Sequence, residues 1–393
     1  MSITFPKGFR AAGVPAGIKT PPAKDVAVVM ADGPAASLCA AARFTTNRFT
    51  AAPVVVSRRH LQNHNGVSPR VVVLNSGGAN ACTGQAGIDD AEATASAAAS
   101  ALGLSPVEVL VCSTGLIGER LPMASLLAGV RAGIGQLAGD AAAGQAAAEA
   151  IMTTDTKPKQ ATAEQDGWRL GGMAKGAGMM APELATMLVV LTTDALLDQR
   201  LAEQALAQAC TYSFDRTDTD GCMSTNDTVI LLANGASGVW PEPATFVAEL
   251  TSLCQDLARQ LVQDAEGAAH DITIRVDGAA TEAGALAVAR AIGRSNLFKT
   301  AIAGNDPNWG RVVSAAGTVP AAVAAFEPSQ VDVVINGVMV CQGGAAGQAR
   351  GLVDLSERAV LVEVHLGAGA AQAQLLTNDL TAEYVHINAD YSS

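Results

Sequence analysis

Gly171–Leu191 reads GGMAKGAGMMAPELATMLVVL and falls into two unlike halves. In the first, Gly171, Gly172, Gly176 and Gly178 stand among small residues and one cation, Lys175. Glycine permits positive φ and close backbone approach, so this half reads as a flexible loop. Pro182 argues against a helix running through it. From Met187 the chain turns to MLVVL, a short apolar run that reads as a buried strand. Ala185-Thr186 therefore stands where a glycine loop meets a rigid element.

Thr186 has two readings. One is a β-branched residue opening a strand, where threonine is favoured. The other makes it a chain terminus. If its hydroxyl attacks the Ala185 carbonyl, the chain is cut there and a free α-amine appears on the residue that carries the hydroxyl. Such an amine has an unperturbed pKa of roughly 7.7–8.0 and serves as a base near neutrality. Threonine with its own N-terminal amine is an activated nucleophile.

The 393 residues are enough for two domains, or for one large domain with an appendage. Hydrophobic residues make up 49% and charged ones 16%, with aromatics at 4%, so the core is built from small aliphatic side chains that let elements approach closely. A net charge of −12 argues against nucleic acid and against an anionic membrane surface as partners. An anionic substrate must then be held by a few local cations. The seven cysteines are widely spaced without a CxxC pair, which reads as a reduced intracellular protein. The N-terminus MSITFPKGFRAAG has no apolar core of a signal peptide, and no apolar run reaches the ~20 residues of a membrane span. The expected location is the cytoplasm.

Along the chain, Val26–Met30, Val54–Val56 and Val71–Leu74 read as strands, the last ended by Asn75–Gly78. Ile88–Leu102 reads as a helix with Asp89, Asp90 and Glu92 in its first turn and Gly103 after its end. Val107–Cys112 is the next strand, followed by Ser113-Thr114-Gly115 in a turn. Helical patterns cover Met123–Leu137, Ala141–Met152, Leu197–Cys210 and, most regularly, Ala244–Ala265, where Phe246, Leu250, Leu253, Cys254, Leu257 and Leu261 form one stripe. Glu266-Gly267 stands at the end of that helix, where a carboxylate opposes the macrodipole. Asp227–Leu232 and Ile272–Val276 read as strands. Asn336-Gly337 marks a hairpin between Val331–Ile335 and Val338–Val340. Val360–Val364 and Ala371–Leu376 read as a further β pair. The elements alternate without a strict βαβ rhythm, so layered sheets covered by helices are expected.

Several motifs fail on inspection. Gly176–Ala181 fits the letters of a dinucleotide fingerprint, but Pro182 spoils the helix that must follow. His60, His64, His270, His365 and His386 are scattered and form no ligand set; they read as solvated or incidental. Asp215, Asp218, Asp220 and Asp227 suggest a cation site or, equally, a polar loop of Asx turns. Thr114 and Gly115 follow a buried strand, a place where a hydroxyl and a backbone N–H can hold an oxyanion, though an ordinary strand-end turn explains them too.

CSTGLIGERLPM, AIMTTDTKPK, GGMAKGAGMMAPELATML, STNDTVILLANG, DAEG, GNDPNWGR and the terminal HINADYSS, taken together and in this order, resemble the ornithine acetyltransferase family over nearly the whole chain. The resemblance implies a self-cleaving acyltransferase of arginine biosynthesis that moves the acetyl group of N-acetyl-ornithine to glutamate. It implies cleavage between Ala185 and Thr186, with Thr186 as nucleophile and Thr114 and Gly115 as oxyanion positions. Thr153, Lys175, Thr186, Glu266, Asn388 and Ser393 are the implied substrate-binding positions; serine ends this chain where some relatives have threonine. The implied fold is α/β (α+β), a layered αββα sandwich similar to N-terminal-nucleophile hydrolases, spanning 1–278, with a smaller C-terminal α/β domain, 279–393, whose tail returns to the active site. Members typically assemble as two α and two β chains from one precursor. No cofactor or metal is needed; acetyl-CoA as a further co-substrate stays open. A related self-processing aminopeptidase or amidase, passing the acyl group to water, and a non-catalytic binding protein with an intact chain are the alternatives.

Overall fold

A computed structural model describes residues 2–20, 23–63, 66–179 and 187–390. The chain divides into two compact units, Met1–Asp215 with Cys222–Leu261 and Arg216–Gly221 with Val262–Ser392.

In the first unit β1 (Phe9–Val14), β2 (Val26–Ala31) and β3 (Cys39–Phe44) precede α1 (Ala52–Gln62). Then come β4 (Val71–Ser76), α2 (Gly84–Leu102), β5 (Val109–Thr114), α3 (Met123–Gly135) and α4 (Ala141–Ala150). β6 (Lys159–Gln165), β7 (Trp168–Lys175), β8 (Leu188–Thr193), α5 (Gln199–Thr211), β9 (Thr228–Ala233) and α6 (Pro243–Gln263) complete the series. The strands form two sheets, β1-β2-β4-β5 and β3-β9-β8-β7-β6.

Side-chain alternation dictates the layering. Ala27, Val29 and Ala31 of β2 pack with Leu74 and Leu110 of their own sheet and with Met173, Val190, Ile230 and Leu232 of the other. Val26, Val28 and Met30 point the opposite way, into a second core with Val56, Ala95, Leu126 and Val130 of α1, α2 and α3. A strand between two cores has no polar face, and every residue of β2 is buried. The second sheet is covered on its outer side by α5, which packs on β3, and by α6, whose Phe246 ring lies 5.4 Å from that of Trp168. This is the expected αββα sandwich.

Three local expectations change. Val54–Val56 lies in α1, not in a strand: Pro53 pre-sets the first helical turn. The Ser57 hydroxyl then docks the helix on β5, donating to the Val111 carbonyl and accepting its N–H. Burial overrides the β preference of the valines. α2 begins at Gly84, so Asp89, Asp90 and Glu92 lie beyond its first turn, while Gly103 ends it at φ 69° as expected. Gly171 and Gly172 sit inside β7, paired with β6 and β8, not in a flexible loop. Their lack of a side chain serves packing: a Cβ on Gly171 would stand 2.7 Å from the Ser2 carbonyl oxygen, and one on Gly172 3.0 Å from the side chains of Leu253 and Leu257.

The second unit contains β10 (Asp271–Ala279), α7 (Glu282–Gly293), α8 (Asn296–Ala303), α9 (Trp309–Ala316), β11 (Asp332–Ile335), β12 (Val338–Gln342), β13 (Ala345–Ala346), β14 (Ala359–His365), β15 (Ala371–Asn378) and α10 (Ala382–Asp390). Its sheet runs β13-β12-β11-β14-β10-β15. β14 and β15 do not pair with each other; β10 lies between them, parallel to the first and antiparallel to the second. That pairing also draws β10 into this unit, which takes up the chain from Val262. Ile272, Ile274 and Val276 of β10 pack with Val288 and Ile292 of α7 and Val312 of α9. Asn336 and Gly337 adopt φ of 45° and 81°, as the tight hairpin turn requires. No described helix is long and apolar enough to cross a membrane.

Candidate active site

Thr114 is the last residue of β5, not part of a turn beyond it, and it is buried. Its carbonyl accepts the N–H of Gly78, which seats the turn after β4 against the strand end. Gly115 follows at φ 134°, and a Cβ there would stand 2.5 Å from the nitrogen of Gly78. Only glycine fits this close approach of two backbones. The turn is fastened by buried amides. Asn75 Oδ1 accepts from the Ser113 hydroxyl at 2.6 Å, and Asn226 Nδ2 donates to the carbonyls of Ala79 and Ser113 at 2.6 and 2.8 Å.

Lys175 ends β7 and is buried, and its Nζ donates to Thr114 Oγ1 at 3.2 Å. Because the hydroxyl accepts from the ammonium, its own O–H is left to point elsewhere. The next residue, Gly176, donates its N–H to Asp155 Oδ1 at 2.7 Å. The other oxygen, Oδ2, accepts the N–H of Thr153 at 2.9 Å, and Lys159 Nζ donates to Oδ1 at 2.5 Å. Burial works to push the Asp155 carboxyl up, but the charges of Lys175 and Lys159 and the Gly176 amide outweigh it and hold the group at about 2. Within the first unit the buried Thr114 and Lys175 are in direct contact, Gly115 follows Thr114, and the half-buried Thr153 is linked to the backbone beside Lys175 through Asp155.

A second carboxyl flanks the site. Asp227 precedes β9, is fully buried, and accepts the N–H of Met187 through Oδ1 at 3.0 Å. Burial pushes it well above the usual carboxylate range, and the Met187 amide pulls only partly the other way. Two carboxyls near one lysine are therefore shifted in opposite directions, Asp155 down and Asp227 up, an arrangement common at functional sites.

Glu266 and Asn388 belong to the second unit and touch there, Asn388 Nδ2 donating to Glu266 Oε2 at 2.9 Å. Glu266 lies in the turn after α6. Gly267 beside it, at φ 65°, would meet the nitrogen of Tyr384 at 2.4 Å if it carried a Cβ. The Thr381 hydroxyl donates to the Gly267 carbonyl at 2.6 Å and closes the contact. Ala185, Thr186 and Ser393 lie outside the described residues.

His60 and His270 are not solvated. His60 Nδ1 lies 2.8 Å from the Val109 carbonyl oxygen, and His270 is held between Asp379 and the Leu355 carbonyl at 2.8 and 3.1 Å. Among the described residues no group of His, Cys, Asp and Glu could hold a metal ion. Asp155, Lys159 and Asn226, and the pairing of Asp227 with Met187, escaped the sequence reading. Their signal was faint: Asp155 and Lys159 lie in the phrase TTDTKPK, and Asn226 and Asp227 in STNDT, each next to an apolar run.

The ArgJ family model matches residues 10–393. The chain is 52% identical over 396 residues to the arginine biosynthesis bifunctional protein ArgJ of Bifidobacterium longum and 56% identical over 393 residues to the protein of that name from Thermobifida fusca, with 100% of each chain covered. A solved structure of ornithine acetyltransferase complexed with ornithine, from Mycobacterium tuberculosis, is 49% identical, covering 48% of this chain and 96% of that one at a TM-score of 0.42.

Proposed function

The chain belongs to the ArgJ family, and from that premise we propose that it is a self-cleaving acetyltransferase of arginine biosynthesis, moving the acetyl group of N-acetyl-ornithine to glutamate. The observation that carries the reading is the buried contact of Lys175 Nζ with Thr114 Oγ1 at 3.2 Å. It supports the reading because a buried cation, suited to a carboxylate, stands beside a hydroxyl that can donate to a developing oxyanion.

Cleavage between Ala185 and Thr186 frees the Thr186 α-amine. Thr186 Oγ then attacks the acetyl carbonyl while that amine takes its proton. The tetrahedral oxyanion receives the Thr114 O–H and the Gly115 N–H. On collapse the proton passes to ornithine, which leaves, and Thr186 carries the acetyl ester. The glutamate amine attacks this ester and regenerates the hydroxyl. Lys175 and Thr153 hold the amino-acid carboxylate, Glu266 takes the side-chain ammonium of ornithine, and Asn388 and Ser393 are further substrate contacts. No cofactor takes part. The two chains from one precursor assemble as α2β2 in the cytoplasm. Acetyl-CoA is the second acetyl donor we propose to test.

Purified protein on a denaturing gel, with acetyl transfer assayed in parallel from N-acetyl-ornithine and from acetyl-CoA, tests the reading. Two pieces of comparable size are expected, the second beginning TMLVVL, together with glutamate-dependent turnover. Thr186→Ala should stay whole and inactive. An intact, fully active wild-type chain overturns the mechanism, and acyl transfer to water alone points to an amidase.

A further inference from the structure

Asp155 has no part in the steps above, yet its carboxylate lies at the centre of the site. Two oxygens take three donors: the Thr153 N–H and Lys159 Nζ from Asp155's own segment between α4 and β6, and the Gly176 N–H from beyond β7. The side chains of Asp155 and Lys159 are both 0% exposed. A buried ion pair of this kind adds little stability over an apolar pair of the same shape, because both charges lose their water. The geometry that it fixes is the better account of it. On one side that geometry is the backbone of Thr153. On the other it is the backbone next to Lys175, whose ammonium reaches the Thr114 hydroxyl.

We propose that Asp155, with Lys159 as its counter-ion, is the positioning residue of the substrate-carboxylate site: it sets how far the Lys175 ammonium stands from the backbone at Thr153. The inference rests on reading Lys175 and Thr153 as substrate contacts. The carboxylate of Asp155 touches neither substrate nor the reacting atoms. It acts by holding the two arms of the cradle before a ligand arrives, so binding has less ordering left to do.

Asparagine at 155 keeps one oxygen for Gly176 and Lys159 but turns its amide donors toward the Thr153 N–H, donor against donor. It also leaves Lys159 buried without its anion. Asp155→Asn should therefore lower Tm and raise KM for both N-acetyl-ornithine and glutamate about tenfold or more, with kcat falling less. Asp155→Asn with Lys159→Met removes the stranded cation without restoring an acceptor for Thr153. In that double variant Tm should recover while KM stays high, a split that a merely structural role would not produce. Lys159→Met alone keeps both backbone bonds to Asp155, and its KM should stay within about threefold of wild type. KM recovering together with Tm in the double variant, or a KM within about twofold of wild type for Asp155→Asn, overturns the assignment. So does a rise of about tenfold in KM for Lys159→Met, which would move the role to the lysine. A wild-type enzyme that transfers no acetyl group to glutamate instead removes the functional reading, and this inference with it.

Discussion

Asp227 Oδ1 accepts the amide hydrogen of Met187 at 3.0 Å, so the residue that follows Thr186 in sequence is tied to a carboxyl inside the core. Burial holds that carboxyl well above its ordinary value. The Met187 amide opposes that shift, because a donated N–H favours the charged form.

A pH profile of stability follows from this. An unfolded aspartate gives up its proton near about 3.9, while the folded chain keeps the proton to a higher pH. The stability linked to Asp227 is thus fully present below that value and is lost as pH rises through the folded value. Asp227→Asn cannot ionise and lacks this slope. The difference in Tm, wild type minus variant, should be largest near pH ~4 and shrink toward neutrality. Asp155, held at about 2, loses its own contribution only below the ordinary carboxylate value, and it does so in both proteins, so it cancels. Parallel Tm curves would show that Asp227 is ionised in the fold.

Thr114→Ala removes the hydroxyl that faces Lys175. Turnover should fall by roughly 10²–10³ if that O–H meets the oxyanion. Self-cleavage should slow as well, since it passes through an oxyanion of the same kind. Unchanged kcat with complete cleavage would reduce the contact to a structural one.

Gly115→Ala should harm the fold before it harms the chemistry. At φ 134° an alanine is strained, and its methyl would press on the Gly78 nitrogen at 2.5 Å. Strain of this type costs roughly 1–3 kcal/mol, and the clash adds to it. Denaturant unfolding should show a lower midpoint; an unchanged midpoint would mean that the two turns can move apart.

Glu266→Gln keeps an acceptor for Asn388 but drops the charge. KM for N-acetyl-ornithine should rise by the equivalent of roughly 1.5–3 kcal/mol, the worth of a charged hydrogen bond, and KM for glutamate should change little. Glutamate has no second amine to lose a partner. Equal effects on both substrates would remove the ammonium role from Glu266.

Much of the architecture was legible because apolar runs such as Val71–Leu74 and Ile272–Val276 have one plausible state when flanked by turns. What escaped depends on contacts far apart in sequence. Val54–Val56 is indistinguishable from a strand until Ser57 is seen docked on Val111. Gly171 and Gly172 look like a loop because a missing side chain signals either freedom or crowding, and only Ser2, Leu253 and Leu257 decide which. The site divides in the same way. Thr114, Gly115, Thr153 and Lys175 came with the family's phrases. Asp155 and Lys159 did not stand out, because an aspartate and a lysine four residues apart are ordinarily a solvated pair. Their burial is a property of the assembled unit.

The sheet order β3-β9-β8-β7-β6 interleaves strands from before and after residue 185. β3 meets β9 along six residue pairs, and β7 meets β8 along six more. Severing the backbone ahead of β8 would thus leave two polypeptides laced into a common sheet, each missing strands that only the other can supply. Light scattering or a native gel would register no event. Neither fragment expressed alone would have a complete sandwich to fold into, and wild-type fragments mixed with inactive ones should fail to trade partners without denaturant. The scission would then act less like the division of a protein in two than like the exposure of a reactive end inside an object that stays whole.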